Sequence, residues 1–274
     1  MNTIRRKLAI LFFILFGSGF AFGQSASVSP SRLYFNAGPG QSQVRRITVT
    51  NNSDTPQSFT VSFADFSSPG TDGKTELADP GENPNSASRW LSASPSLVEL
   101  AAGESRDVEI ILQLPDSPEA ERVIWATTLV KLARERTDAP GLDEDAMGFG
   151  IMHTFQFVIH VFQTPPGVTF KDARILAFED AGIDENGKRI LMLHVENTGE
   201  AIIDVAAYLE LTNLRTGETT REKARAFTTL PGHSRKMNFT LPENLAPGNY
   251  SVLGVADYGD REAVIAAELN ITVE

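Results

Sequence analysis

The sequence predicts an all-β protein of two sandwich domains behind an N-terminal export signal, and three observations carry that prediction. After Gln24 nearly every periodic segment alternates apolar and polar residues, or is a short β-rich run closed by Gly, Pro, Asn or Asp. That is the pattern of short strands joined by tight turns. The segments fall into two sets of about seven strands, the number a small sandwich needs, on either side of Thr164-Pro165-Pro166-Gly167. Two consecutive residues without an N–H cannot continue a central strand, so a domain boundary belongs there. The two halves also repeat a weak pattern. Val49-Thr50-Asn51-Asn52-Ser53 has a counterpart in Val195-Glu196-Asn197-Thr198-Gly199, and Leu100-Ala101-Ala102-Gly103-Glu104-Ser105-Arg106 has one in Leu230-Pro231-Gly232-His233-Ser234-Arg235. In each half a strand ends in an Asn-containing turn, and a later Gly turn leads into an alternating strand. Two copies of an immunoglobulin-like sandwich explain this most simply, with domains at 24–165 and 166–274.

In chain order, residues 1–23 read as a signal peptide. Met1 to Lys7 is a basic n-region with Arg5, Arg6 and Lys7, Leu8 to Phe16 is apolar, and Ala21-Phe22-Gly23 supplies a small-x-small cleavage pattern. The apolar run is shorter than the roughly 20 residues that span a bilayer, which favours cleavage before Gln24 over a retained anchor. The first domain is expected to hold strands near 27–35, 44–50, 57–65, 96–101, 106–113, 123–132 and 149–162. The second is expected to hold strands near 168–178, 189–196, 203–212, 219–228, 234–241, 249–257 and 262–273. Two stretches lack any hydrophobic period and are expected to be exposed, mobile connectors: 67–88, rich in Gly, Pro, Ser, Asp and Asn, and 135–148, with five acidic residues.

Composition narrows the function. The 274 residues carry 24 Lys+Arg against 35 Asp+Glu, a formal charge of -11, and removal of the leader would take away three of those cations. Such a body has no reserve of positive charge for a phosphate backbone, and an anionic membrane surface repels it. No stable membrane insertion is expected after signal cleavage, and no nucleic-acid partner. The chain has no cysteine, so neither a disulfide nor a lipid-anchoring cysteine is available, and core packing alone must hold the sandwiches.

Motifs for catalysis are missing. The four histidines (His153, His160, His194, His233) do not fall at metal-site spacing, and there is no nucleophile elbow, phosphate loop or dinucleotide fingerprint. No metal, cofactor or enzymatic activity is expected. The acidic run Glu179 to Gly187 invites a calcium reading, but Glu185-Asn186-Gly187 between two apolar runs is a strong hairpin signal.

The informative segment is 149–162, FGIMHTFQFVIHVF. At period two, one face carries Phe149, Ile151, His153, Phe155, Phe157, Ile159 and Val161. A strand this long and apolar is an aggregation hazard unless something covers it. It is either a central strand buried in its own sandwich, or partly open to a partner strand by β-augmentation.

From Val28-Ser29-Pro30-Ser31-Arg32-Leu33-Tyr34-Phe35, through 47–54, 90–112 and 155–165, to Ala256-Asp257-Tyr258-Gly259, the chain resembles the periplasmic pilus-assembly chaperones of the PapD type, as a divergent member. The resemblance implies two immunoglobulin-like domains set at an angle about a cleft, and a last strand that lends its alternating residues to an incomplete pilin-like subunit. Carried onto this sequence, the donor row is Ile151, His153, Phe155, Phe157 and Ile159, with a polar ring at His153. The cations that anchor the subunit's C-terminal carboxylate fall on Arg32 and, where the family has a lysine, on His160. The implied partners are an exported subunit and an outer-membrane usher, and the implied location is the periplasm, with the cell surface as the alternative. A closed structural or adhesive module is the competing reading. A sandwich hydrolase or sugar binder has only Trp90, Trp125 and the four tyrosines to offer.

Overall fold

The computed structural model describes residues 25–133, 155–260 and 263–273, which form two consecutive β-sandwiches. The leader, the acidic segment from 135 to 148, and Ile151 and His153 lie outside the described residues. The first sandwich contains β1 (Ala26–Ser29), β2 (Arg32–Phe35), β3 (Ser42–Asn51), β4 (Gln57–Ser67), β5 (Glu76–Ala78), β6 (Leu91–Ser94), β7 (Leu97–Leu100), β8 (Ser105–Gln113), β9 (Ile124–Ala133) and β10 (Gln156–Gln163). One sheet runs β1-β3-β8-β6; the other runs β2-β10-β9-β4, with β5 and β7 both paired to β4. Alternation places Ile47, Val49, Val108, Ile110 and Leu112 of the first sheet against Leu33, Phe35, Phe59, Ile159 and Val161 of the second. Burying each large side chain contributes about 1.5–3 kcal/mol.

The stretch expected as one strand at 27–35 is two. β1 pairs antiparallel with β3, and beyond Pro30 the chain crosses to the other sheet, where β2 pairs parallel with β10. Pro30 offers no N–H to either ladder, so the crossing falls where the least pairing is lost.

The second sandwich contains β11 (Ala173–Ile183), β12 (Arg189–Asn197), β13 (Ile203–Asn213), β14 (Thr219–Arg221), β15 (Arg225–Thr229), β16 (Ser234–Thr240), β17 (Gly248–Asp257) and β18 (Ile265–Val273). Its sheets are β11-β12-β16 and β14-β13-β17-β18, with β15 also on β13. The strand expected at 219–228 divides because Arg221-Glu222-Lys223 breaks the alternation, leaving β14 and β15 on successive parts of β13. Glu185-Asn186-Gly187 is a hairpin turn: Gly187 has φ +78°, and Asp184 Oδ1 accepts the backbone N–H groups of Asn186 and Lys188.

The repeat seen in the sequence is structural. Asn51 and Asn197 are both fully buried at matching strand ends. Asn51 Nδ2 donates to the carbonyls of Thr55 and Ala101 at 2.8 and 2.9 Å, and its Oδ1 accepts the N–H of Ser53. Asn197 does the same with Ala201, Thr229 and Gly199. Each ties a corner together through backbone groups, part-buried around Asn51 and buried around Asn197.

The segment 67–88, expected as a free connector, is tied at both ends. Asp65, buried at the end of β4, accepts the N–H groups of Gly81 and Asn83 on Oδ2, each at 2.8 Å, and the hydroxyls of Ser86 and Ser88 on Oδ1. Thr71 carries the segment onto the second sandwich, its carbonyl accepting the N–H of Lys236 at 2.8 Å. Polar composition hid this, because the anchoring is by backbone and hydroxyl groups rather than by an apolar face.

Candidate functional site

The two sandwiches meet around a small apolar cluster, Phe66, Val123, Trp125 and Phe162 from the first and Leu230 from the second. The Tyr34 hydroxyl donates to Asp204 Oδ1 at 3.0 Å beside it. Trp125 is buried, its indole N–H on the Phe66 carbonyl, and Trp90 packs against the first core.

β10 runs into this junction. Along 156–163 it pairs antiparallel with β9, but β2 covers its other side only from His160 onward. The first link on that side is His160 N–H to the Ser31 carbonyl, 3.1 Å. Backbone groups two residues apart point the same way, so Gln156 and Val158 aim their N–H and C=O away from β9, where no described strand receives them. Phe157 and Ile159 face β9 with theirs. Among the described residues the result is an uncovered edge of about 13 Å at 3.3 Å per residue, leading into the cleft.

Side chains along that edge divide by parity. Ile159 is 1% exposed and belongs to its own core, while Phe155 and Phe157 are partly buried on the core's margin, their rings 5.6 Å apart edge to face. Ser25, Ala26, Phe155, Gln156 and Phe157 line a hollow of about 340 Å³ between β1 and β10, the open end of the sandwich. On the opposite parity, His160 and Phe162 face the cleft. The His160 ring lies parallel to that of Phe162 and edge-on to Phe66, with centroids at 6.0 and 5.0 Å. Burial, and then the charge of Arg32 across the parallel ladder, hold the His160 imidazole below its ordinary value of 6.5, so it is neutral at neutral pH. Its Nε2 is 2.9 Å from the Thr75 hydroxyl. Arg32 lies opposite His160 in register, exposed, with no carboxylate partner among the described residues.

The cleft holds about 180 Å³. Arg32, Phe66, Thr75 and His160 wall it from the first sandwich, and His233 and Arg235 from the second. Its lining residues include no Asp or Glu, although the chain is strongly acidic. Sequence reasoning missed Arg235 and the stretch 68–75 that reaches across to it. The signals for the latter were Pro69-Gly70 and Asp72-Gly73, turn dipeptides in a polar run. No group of three or more His, Asp or Glu able to hold a metal occurs among the described residues, and no described helix is long and apolar enough to cross a membrane.

No family model matches the chain, and no curated protein matches it by sequence. Solved structures similar to it include the Escherichia coli chaperone DraB, at 18% identity and a TM-score of 0.45 over 89% of this chain and 98% of that one. Another is the Salmonella enterica SafA pilin in complex with the SafB chaperone, at 13% identity and 0.46 over 89% and 96%. A third is the CsuC-CsuE chaperone and tip-adhesion-subunit complex from archaic chaperone-usher pili of Acinetobacter baumannii, at 12% identity and 0.45 over 88% and 97%.

Proposed function

We propose that this protein is a periplasmic assembly chaperone, with domains 24–165 and 166–274, that captures an exported, incomplete β-sandwich subunit of the pilin type by adding its β10 edge to the subunit's sheet. The observation that carries this reading is the bare stretch of β10, which ends where Arg32 begins. A partner strand on that edge lies end to end with β2. If it runs parallel to β10 its C-terminus arrives at Arg32, and if it runs antiparallel its N-terminus does. Arg32 favours a carboxylate and repels an ammonium, so charge selects the parallel direction and anchors the partner's last residue. Phe155 and Phe157, with Ile151 and His153 before them, are the side chains proposed to enter the partner. Ile159 supports the strand from inside its own core, and His160 is a neutral wall of the anchor. An outer-membrane usher would receive the loaded complex.

The test is capture of subunits from the protein's own periplasm, comparing wild type with Phe157→Asp, Arg32→Ala and Val158→Pro. The N–H of Val158 points off the sheet, so proline there removes one edge donor and leaves the β9 ladder intact. Co-elution of a β-rich subunit with the wild type, and its loss from all three variants, supports strand donation. Equal recovery of the same proteins by every version would favour a closed structural module.

A further inference from the structure

The duplicated turn exposes a difference that matters in the cleft. In the first sandwich Arg106 sits opposite Val49 in the β3–β8 ladder, and in the second Arg235 sits opposite Val195 in the β12–β16 ladder. Val49 and Val195 stand two residues before the buried asparagines, so the two arginines are structural counterparts. Arg106 is neutralised by Glu104, two residues earlier, at 3.0 Å. The matching position in the second copy is His233, which has turned to donate from Nδ1 to its own loop at the Pro231 carbonyl, 3.0 Å away. Arg235 is therefore left without an acid. It has no hydrogen-bond or ion-pair partner among the described residues, and its Nε is buried without an acceptor. A buried donor on a charged group is costly to leave unpaired, and here it sits in a cavity that also contains Arg32 and no carboxylate.

The backbone crossing the cleft is shaped around this arginine. Gly73 has φ +69°, and a Cβ built on it would lie 0.9 Å from Nη1 of Arg235. The absence of a side chain at residue 73 leaves room for the Nη1 end of the guanidinium against the strap, at the cavity that both line.

We propose that Arg32 and Arg235, one from each sandwich, form a two-armed site for the terminal carboxylate of an extended peptide. This rests on the strand-donation reading above and assigns the second anchoring charge to the second domain. Two guanidinium forks offer a carboxylate paired N–H donors from opposite walls, and the anion bridges the two domains as it docks.

The experiment is a titration of the ¹⁵N-labelled full-length protein with N-acetyl-Ala-Ala, and with its C-terminal amide as the uncharged control, following the Arg Nε–Hε resonances. The acid should move the Arg32 and Arg235 signals along one binding curve while the amide moves neither. Arg235→Gln should weaken the affinity read at Arg32 by about tenfold, the order expected for losing one charge-assisted pair. Arg235→Lys should recover part of it, and His160→Gln should leave it within about twofold. If Arg32 responds and Arg235→Gln leaves its curve unchanged, the second arm is refuted while the anchor at Arg32 stands. If neither signal moves with the acid, both the two-armed site and the carboxylate anchor are overturned.

Discussion

Asp65 sets the sharpest stability prediction, because its four donors can be followed individually after it is removed. In Asp65→Ala the hydroxyls of Ser86 and Ser88 keep a partner, since they already lie 2.9 Å from each other. The N–H groups of Gly81 and Asn83 do not, because each is given only to Asp65 Oδ2. Orphaning the two part-buried donors costs about 1 kcal/mol each, and the cavity at the fully buried Asp65 site adds to this, so Asp65→Ala should destabilise the first sandwich by about 2–4 kcal/mol. Asp65→Asn keeps an oxygen for the two backbone donors and offers its amide to the serines, and should cost about 1–2 kcal/mol. Both tryptophans, Trp90 and Trp125, belong to the first sandwich. Urea unfolding followed by Trp fluorescence therefore reports on that sandwich, while far-ultraviolet circular dichroism reports on both. An Asp65→Ala midpoint equivalent to less than about 1 kcal/mol of loss would refute the assignment of these bonds as anchors. So would a Ser86→Ala loss as large as that of Asp65→Ala.

Other perturbations follow from the same structure. Asn51→Ala and Asn197→Ala should each cost about 2–4 kcal/mol, the first moving the Trp-detected transition and the second the part of the dichroism transition that fluorescence does not see; identical behaviour by both probes would contradict independent corners. The His160 imidazole, held low by burial and by Arg32, contributes stability that is complete above its unfolded value near 6.5 and is lost as pH falls from there toward the folded pKa. Proton NMR should find its titration below 6.5, and Arg32→Ala should raise it without bringing it above 6.5, since burial is the larger cause. Gly254 has Phe178 and Leu193 at 3.0 and 3.1 Å from where a Cβ would stand, so Gly254→Val should overpack the second core by about 1–3 kcal/mol, read as a lower midpoint in dichroism.

What was legible in the sequence was whatever side-chain parity encodes. The alternation of Val108, Ile110 and Leu112 marks one face of β8, and the paired Asn turns mark two copies of one fold. Segment 67–88 shows the opposite case. Its anchoring residue, Asp65, lies outside it in a strand, and its contacts are backbone N–H groups, hydroxyls and a glycine that makes room for an arginine. None of these leaves a hydrophobic period to detect. The split at Pro30 was written in the sequence, but only the ladder partners showed that the two halves serve different sheets.

An edge is a property of what fails to pair, and no periodicity records it. The alternation of Phe155, Phe157, Ile159 and Val161 would read the same if β2 ran the whole length of β10. The proposed function draws on β2 beginning only at Arg32, so that among the described residues the end of the uncovered edge and the start of the positive charge coincide at one register position. The second sandwich then adds an arginine that lacks the acid its counterpart has, because His233 stands where the first copy has Glu104. In the strand-donation proposal, a partner strand aligned on that edge would bring its last atoms to arginines of both domains, so that its direction and its end would be read within one cleft.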